Sequence, residues 1–381
     1  MHYGFDEDQE AYRQEVARFA EKVLAPHYQS DDKAAVFRPQ LAKDMAGMGL
    51  MGLRIPEEYG GQEATALIAG IAAEEVGRQD FNATYLIINT ALISDVIVRN
   101  ATDAQKAAWL PGIAAGDTIP CILITEPGHG TDAAALELKA VETEDGWTLH
   151  GEKTSITLGV PANRGVVLAR TGGEGARGIS AFWVDLTDST ITKSAFDDLG
   201  ARSIGRASIH FDGTKVAKDA MIGQPGGGFI SVMQGFDYSR AIIGLACLGA
   251  AQQSLDEAMQ WARDREAFGQ PIGKFQGVSF PLAEHATYVR GARHVCYEAL
   301  WRKDEDIEHS AEAAMAKFWA PKLSAEVIHR CLLTLGHVGY SSEAKMAQRL
   351  RDVIGLEIGD GTEQVSKLVI SRHLLGRQYA P

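Results

Sequence analysis

The sequence predicts an α+β protein in three parts: helices, then a β unit, then helices again. Apolar residues recur at helical spacing over both ends of the chain, whereas short apolar runs alternate with polar residues in the middle. Breakers mark the two changes of texture, near Gly116 and at Gln224-Pro225-Gly226-Gly227-Gly228. The expected domains are therefore residues 1–117, 118–224 and 225–381, and 381 residues suffice for two or three domains.

In the first part Phe5, Tyr12, Val16, Phe19 and Val23 fall at helical spacing and Pro26 ends that segment. Leu41, Met45 and Met48 continue the pattern, residues 55–61 (IPEEYGG) form a loop, and two helices cover about 65–77 and 83–99. The middle part opens on the strand-like residues 119–124. Leu136, Leu138 and Ala140 then alternate with polar residues, and Asp145-Gly146 predicts a hairpin turn. Further strands are expected at residues 165–170, 178–186, 191–196 and 207–211. In the last part Leu248, Ala251, Leu255, Ala258, Met259 and Ala262 mark a long helix running to about Gly269. Helices near 275–303, 311–335 and 341–353 follow, and an antiparallel bundle is the expected packing.

Composition narrows the function classes. A net charge of −13 without a basic run argues against nucleic acid or an anionic membrane as partner. No apolar run approaches the roughly 20 residues of a membrane span, and the acidic N-terminus predicts neither a signal nor a transit peptide. Cys121, Cys247, Cys296 and Cys331 lie far apart, as expected for reduced thiols in a cytoplasmic protein without a zinc site. The histidines show no metal-ligand spacing.

Chemistry concentrates in a few places. Asp360-Gly361-Thr362 sets a carboxylate before a tight turn and the N-cap of an amphipathic helix striped by Ile358, Val365, Leu368, Val369 and Leu375. By itself, Asp-Gly reads as a plain turn. Residues 125–132 (TEPGHGTD) carry glycines that admit a ligand and hydroxyls that bond one, but lack the spacing of a phosphate loop. Arg240, among apolar neighbours, needs a partner such as Asp237. Arg263 and Arg265 match either a helix C-terminus or a phosphate.

Together and in this order, these pieces resemble the acyl-CoA dehydrogenase family over essentially the whole chain. The motifs are IPEEYGG at 55–61, TEPGHGTD at 125–132, GEKTSIT at 151–157, residues 236–240, residues 263–269, LGHVGY at 335–340 and Asp360-Gly361-Thr362. The resemblance implies an N-terminal helical domain, a middle β-barrel domain, a C-terminal four-helix bundle, bound FAD and a homotetramer. By position, Ile124, Thr125, Ser155 and Thr157 would border the flavin. Arg265, Phe268 and Gln276 would hold the FAD pyrophosphate and adenosine across a subunit interface, and Thr334, Gly336 and His337 would complete the adenine end. Thr362 and Gln364 would lie beside the same cofactor, while Thr131, Tyr238, Arg240 and Gly361 would bind the acyl-CoA.

Asp360 would then be the base that removes the α-proton of the thioester while the β-hydrogen leaves as hydride to flavin N5. The flavin ribityl hydroxyl and the Asp360 N–H would stabilise the enolate, and electron-transfer flavoprotein would reoxidise the cofactor. Three departures from the family pattern bear on the substrate. Asp360 stands where Glu is usual, Gly359 where an aromatic is usual, and Ser155 where a Trp commonly flanks the flavin. The lost volume suits a cyclic or α-branched acyl group. Residues 151–157, 196–211 and 311–340 resemble the cyclohexane-1-carboxyl-CoA dehydrogenases of alicyclic acid degradation, whose product is cyclohex-1-ene-1-carboxyl-CoA. The alternatives are dehydrogenation of cyclohex-1-ene-1-carboxyl-CoA or of another branched acyl-CoA, a nitroalkane-oxidase-like flavoenzyme, and an inactive flavin- or acyl-CoA-binding relative.

Overall fold

A computed structural model describes residues 4–381. Six helices build the first domain: α1 (Glu7–Phe19), α2 (Tyr28–Ala34), α3 (Gln40–Gly47), α4 (Ala66–Gln79), α5 (Thr84–Asn100) and α6 (Asp103–Ala114). Asp6 starts α1 with a capping box, accepting from the Gln9 N–H at 2.8 Å while the Gln9 side chain accepts from the Asp6 N–H at 3.1 Å. The helices expected at 65–77 and 83–99 are α4 and α5.

The second domain holds β1 (Pro120–Leu123), β2 (Lys139–Thr143), β3 (Gly146–Ile156), β4 (Arg164–Arg170), β5 (Ile179–Asp185), β6 (Ile191–Ala195), β7 (Ala207–Ala217) and β8 (Met221–Ile222). They form one sheet in the order β6-β7-β3-β2-β4-β5-β8, with β1 parallel to β4. The hairpin turn falls one residue earlier than expected. Thr143 pairs with Gly146, so Glu144 and Asp145 make the turn. Gly146 instead serves the β7 contact, because a Cβ there would stand 2.1 Å from the Val216 carbonyl.

The third domain runs through α7 (Gly228–Asp264), a small hairpin of β9 (Glu266–Ala267) and β10 (Gln270–Pro271), α8 (Gln276–Asp304), α9 (Ser310–Leu335), α10 (His337–Tyr340), α11 (Met346–Ile358) and α12 (Glu363–Leu375). Helix α7 stops before Gly269 because the chain turns into the β9–β10 hairpin, with Phe268 and Gly269 at φ 52° and 74°. Helix α7 packs on α4 and α5 as well as on α8 and α9, so the two helical domains share one core. The α4–α7 crossing is close: a Cβ on Gly249 would lie 2.1 Å from the Glu74 carbonyl, and one on Gly77 2.4 Å from that of Ala246. The stripe expected on α12 does not enter this core. Only Ser366 of α12 is buried, and Leu374 and Leu375 are exposed, because the helix lies mainly against α9.

Candidate active site

The turn between α11 and α12 carries Asp360. Gly359 leaves α11 with φ −60° and ψ 150°, then Asp360 and Gly361 take φ 56° and 100°. A left-handed Asp is tolerated because its side chain is short and polar, but the conformation persists only where the surroundings hold it. Thr362 ends the turn as the N-cap of α12, its hydroxyl accepting from the Val365 N–H at 3.4 Å.

Lys317 of α9 does the holding. The residue is 1 % exposed, and its ammonium donates to the Leu356 carbonyl at 2.7 Å and the Gly361 carbonyl at 2.9 Å, bracketing Asp360 from both sides. Burial raises the Asp360 pKa above the ordinary carboxylate value, and Lys317, Arg240 and the Ser239 hydroxyl pull against it. Burial likewise lowers the pKa of Lys317, with Asp360 the main opposing influence. Arg240 finds the partner its surroundings require: Nη1 meets Asp237 at 2.7 Å, and Asp237 also accepts from the Ser310 hydroxyl at 2.6 Å. Its Nε is buried without a partner among the described residues.

A loop of the β domain docks on α11 beside this turn. Asp352 of α11 accepts from the Ala201 N–H and from the Tyr28 hydroxyl, both at 2.6 Å. Gly200 lies flat on the helix, since a Cβ there would be 2.1 Å from the Arg351 carbonyl. Further along the loop, Arg206 grips both carboxylate oxygens of Asp198, stacks on Phe196 at 4.1 Å and donates from Nη1 to Ser155 Oγ at 2.8 Å. Ser155 sits at φ 58° within a bulge of β3, where the register to β7 shifts between Lys153 and Ile156. The loop thus ties the β domain near Ser155 to the helix that delivers Asp360.

Behind this face lies a buried ion pair, Lys153 to Glu126 at 2.8 Å. Lys153 also donates to the Ile124 carbonyl at 2.9 Å, and Glu126 accepts from the N–H groups of Glu137 at 2.6 Å and Leu138 at 2.9 Å. Burial opposes both charges and pushes Lys153 down to about 8, while Lys153 and the backbone donors hold the Glu126 pKa below its ordinary value. The pair fixes Ile124 and Thr125 in place. The hydroxyls of Thr125 and Thr157, both half-buried, make no hydrogen bond among the described residues and remain free for a ligand. A groove of about 1080 Å³ along Glu126, His129, Asp132, Leu138 and Arg170 does not include Asp360. Charged and polar groups converge instead around Asp360.

The other expected site residues stand elsewhere. Arg265, Phe268 and Gln276 are exposed at the far end of α7 and the start of α8, and Phe268 is 95 % exposed. Along α7, Arg265 is roughly 37 Å from Arg240 at 1.5 Å per residue, so these groups do not meet Asp360 within one chain. Thr334, Gly336 and His337 close α9 near the surface, Gln364 is exposed on α12, and Thr131 is exposed on its loop. Tyr238 is fully buried, with Arg54 and Lys303 at 5.5 and 5.1 Å from its ring, and its hydroxyl has no partner among the described residues. Its packing between two cations explains its placement. Lys317 escaped the sequence reading, although a lone Lys within the apolar run AEAAMAKFWAP was its available signal.

Residues 6–117, 121–214 and 226–375 match the N-terminal, middle and C-terminal domains of acyl-CoA dehydrogenase. The human mitochondrial short-chain specific acyl-CoA dehydrogenase is 36 % identical over 94 % of this chain and 87 % of its own length. Butyryl-CoA dehydrogenase from Megasphaera elsdenii superposes with a TM-score of 0.95 at 30 % identity, covering 98 % of this chain and all of that one. A chain from the structure described as electron transferring flavoprotein of Acidaminococcus fermentans gives 0.96 at 34 % identity, with 98 % and 100 % covered. The chain belongs to the acyl-CoA dehydrogenase family and is an FAD-dependent oxidoreductase. The free hydroxyls of Thr125 and Thr157 and the unpartnered Arg240 Nε fit a polar cofactor and its thioester substrate. Among the described residues no helix is long and apolar enough to cross a membrane, and no acidic, histidine or cysteine cluster suits a metal.

Proposed function

We propose that this chain oxidises a cyclic acyl-CoA, converting cyclohexane-1-carboxyl-CoA to cyclohex-1-ene-1-carboxyl-CoA. The observation that carries the reading is a bare glycine edge beside Asp360. Gly359 has a backbone that any residue adopts, and a Cβ there would meet nothing closer than 3.6 Å. One turn earlier on the same helix face, a Cβ on Gly355 would find only the Tyr85 hydroxyl, at 3.9 Å. Neither glycine is required by strain or by crowding, so each leaves room next to the carboxylate. A ring needs width at the α-carbon, where a straight chain needs length.

In this reading Asp360 removes the α-proton, its pKa raised by burial and its charged form kept accessible by Lys317 and Arg240. Arg240 holds the acyl-CoA, with Thr131 and Gly361. Ile124, Thr125, Ser155, Thr157, Thr362 and Gln364 border the cofactor. Bound FAD supplies the acceptor for the hydride that leaves the β-carbon. Arg265, Phe268, Gln276 and residues 334–337 reach the cofactor of a neighbouring subunit in a homotetramer, consistent with their exposure and their distance from Asp360. Electron-transfer flavoprotein takes the electrons, and the cytoplasm is the site of action. Diene formation would require a second base. Burial raises the Tyr85 pKa far above its ordinary value, so that neighbour stays protonated.

The names of the relatives favour a second reading, a short straight acyl group. Anaerobic bleaching of the bound flavin by cyclohexanecarboxyl-, isobutyryl-, butyryl- and glutaryl-CoA separates the two. The cyclic ester is expected to bleach fastest; butyryl-CoA in first place would replace the ring with the straight chain.

A further inference from the structure

The surroundings of Asp360 hold a polar group that proton removal does not use. Tyr85, near the start of α5, is 6 % exposed, and its ring meets Phe81 edge-on with centroids 5.9 Å apart. Its hydroxyl lies over the exposed backbone of Gly355, at 3.9 Å from where a Cβ would be, and makes no hydrogen bond among the described residues. The Gly359 N–H donates to the Gly355 carbonyl at 3.0 Å, so the two glycines form one strip and Asp360 follows directly. One helical turn, about 5.4 Å, separates the phenol oxygen's footing from the turn that bears the carboxylate. Burial and the charges of Asp352, Asp360 and Asp198 keep the phenol protonated, hence a donor.

A phenylalanine would pack against Phe81 equally well, whereas the tyrosine sets an unpaired hydroxyl, still open at its surface, over the glycine strip. The oxygen therefore points to something that fills the glycine strip and accepts a hydrogen bond there. We propose that Tyr85 is a specificity-determining residue whose hydroxyl donates to an oxygen substituent, a hydroxyl or carbonyl, carried by the acyl group away from its thioester. This rests on the acyl thioester reading above and extends it from the unsubstituted ring to acyl groups that also carry such an oxygen.

The test uses the FAD-loaded enzyme with cyclohexanecarboxyl-CoA and 4-hydroxycyclohexanecarboxyl-CoA. Affinity is read by titration and turnover by anaerobic flavin reduction. The wild type is expected to favour the hydroxylated ester about tenfold or more in both, as expected where a buried donor meets or lacks its acceptor. Tyr85→Phe should bring the ratio to near one. Gly355→Ala, which sets a methyl against the hydroxyl without touching Tyr85, should lower it too. Equal affinities in the wild type, or a preference that survives Tyr85→Phe, would overturn the hydrogen bond. Binding without bleaching by either ester would instead remove the dehydrogenase substrate reading, and the affinities would still decide the role of Tyr85.

Discussion

The Lys317 ammonium lies 2.9 Å from the Gly361 carbonyl, immediately after the left-handed Asp360. One buried cation both shapes the turn and lowers the pKa of the acid in it. Lys317→Met should therefore act in two ways. Two carbonyls lose their donor, which costs about 1–3 kcal/mol for each one left dry. Asp360 loses the charge that opposes burial, so its pKa rises and the acid limb of flavin reduction moves to higher pH. A pH profile of reduction in the variant checks this; a lower rate with an unmoved limb would leave Lys317 a structural role only.

Asp360→Asn keeps the shape of the side chain and removes the base. The variant is expected to retain FAD and bind the thioester while flavin reduction falls by about 10²–10⁴-fold, the usual contribution of a positioned base. Stopped-flow reduction under nitrogen measures it. Wild-type rates would transfer the proton to another group.

Gly359→Phe should close the space that the glycine edge leaves. Its backbone accepts the substitution and the first contacts of a Cβ are ordinary ones at 3.6 Å, so folding is expected to survive. Reduction by cyclohexanecarboxyl-CoA should fall at least about tenfold relative to butyryl-CoA, on the scale that pocket volume confers. The ratio of the two rates in the variant against the wild type is the readout.

The three-part architecture was legible because periodicity changes sharply at Gly116 and Gln224, and because α4 and α5 carry clean helical spacing. Asp360 was legible from its place before Gly361 and Thr362, and Arg240 from its need for Asp237. The surroundings that set the Asp360 pKa were not. Lys317 and Ser239 come from two other helices, and no local pattern announces a contact between residues so far apart in sequence. Tyr238 shows the converse. The resemblance placed it at the substrate, and no sequence signal told that the helical phase of α7 sets its ring in the core between Arg54 and Lys303. The stripe of α12 misled in a similar way, since amphipathicity tells that a face is apolar and not what covers it.

The Lys153–Glu126 pair makes a stability prediction. Both side chains are essentially inaccessible, so removing one leaves an uncompensated charge. Lys153→Met is expected to destabilise by about 3–5 kcal/mol and to free the Ile124 carbonyl. Because Ile124 and Thr125 are held by this pair, FAD affinity should fall along with the melting temperature. A variant that melts early yet binds FAD normally would separate the ion pair from the cofactor.

Asp80 sets the last prediction, on pH. It is buried, accepting from the N–H groups of Asn82 at 2.9 Å and Ala83 at 3.2 Å, and burial pushes its pKa from 3.8 up to about 7. Asp352 shifts in the same direction, to about 6. A carboxyl that binds its proton more tightly in the folded state makes the unfolded chain the weaker proton binder between the two pKa values. Stability is then fully present below about pH 4 and is lost as pH rises through about 7, by at most about 1.4 kcal/mol per pH unit for one group. Asp80→Asn keeps the carbonyl oxygen that accepts from Asn82 and Ala83 and cannot ionise. Melting temperatures of wild type and variant should diverge between about pH 4.5 and 6.5, with the wild type falling more steeply, and run parallel above about pH 8. Parallel curves across the lower interval as well would show that the proton on Asp80 is not linked to folding.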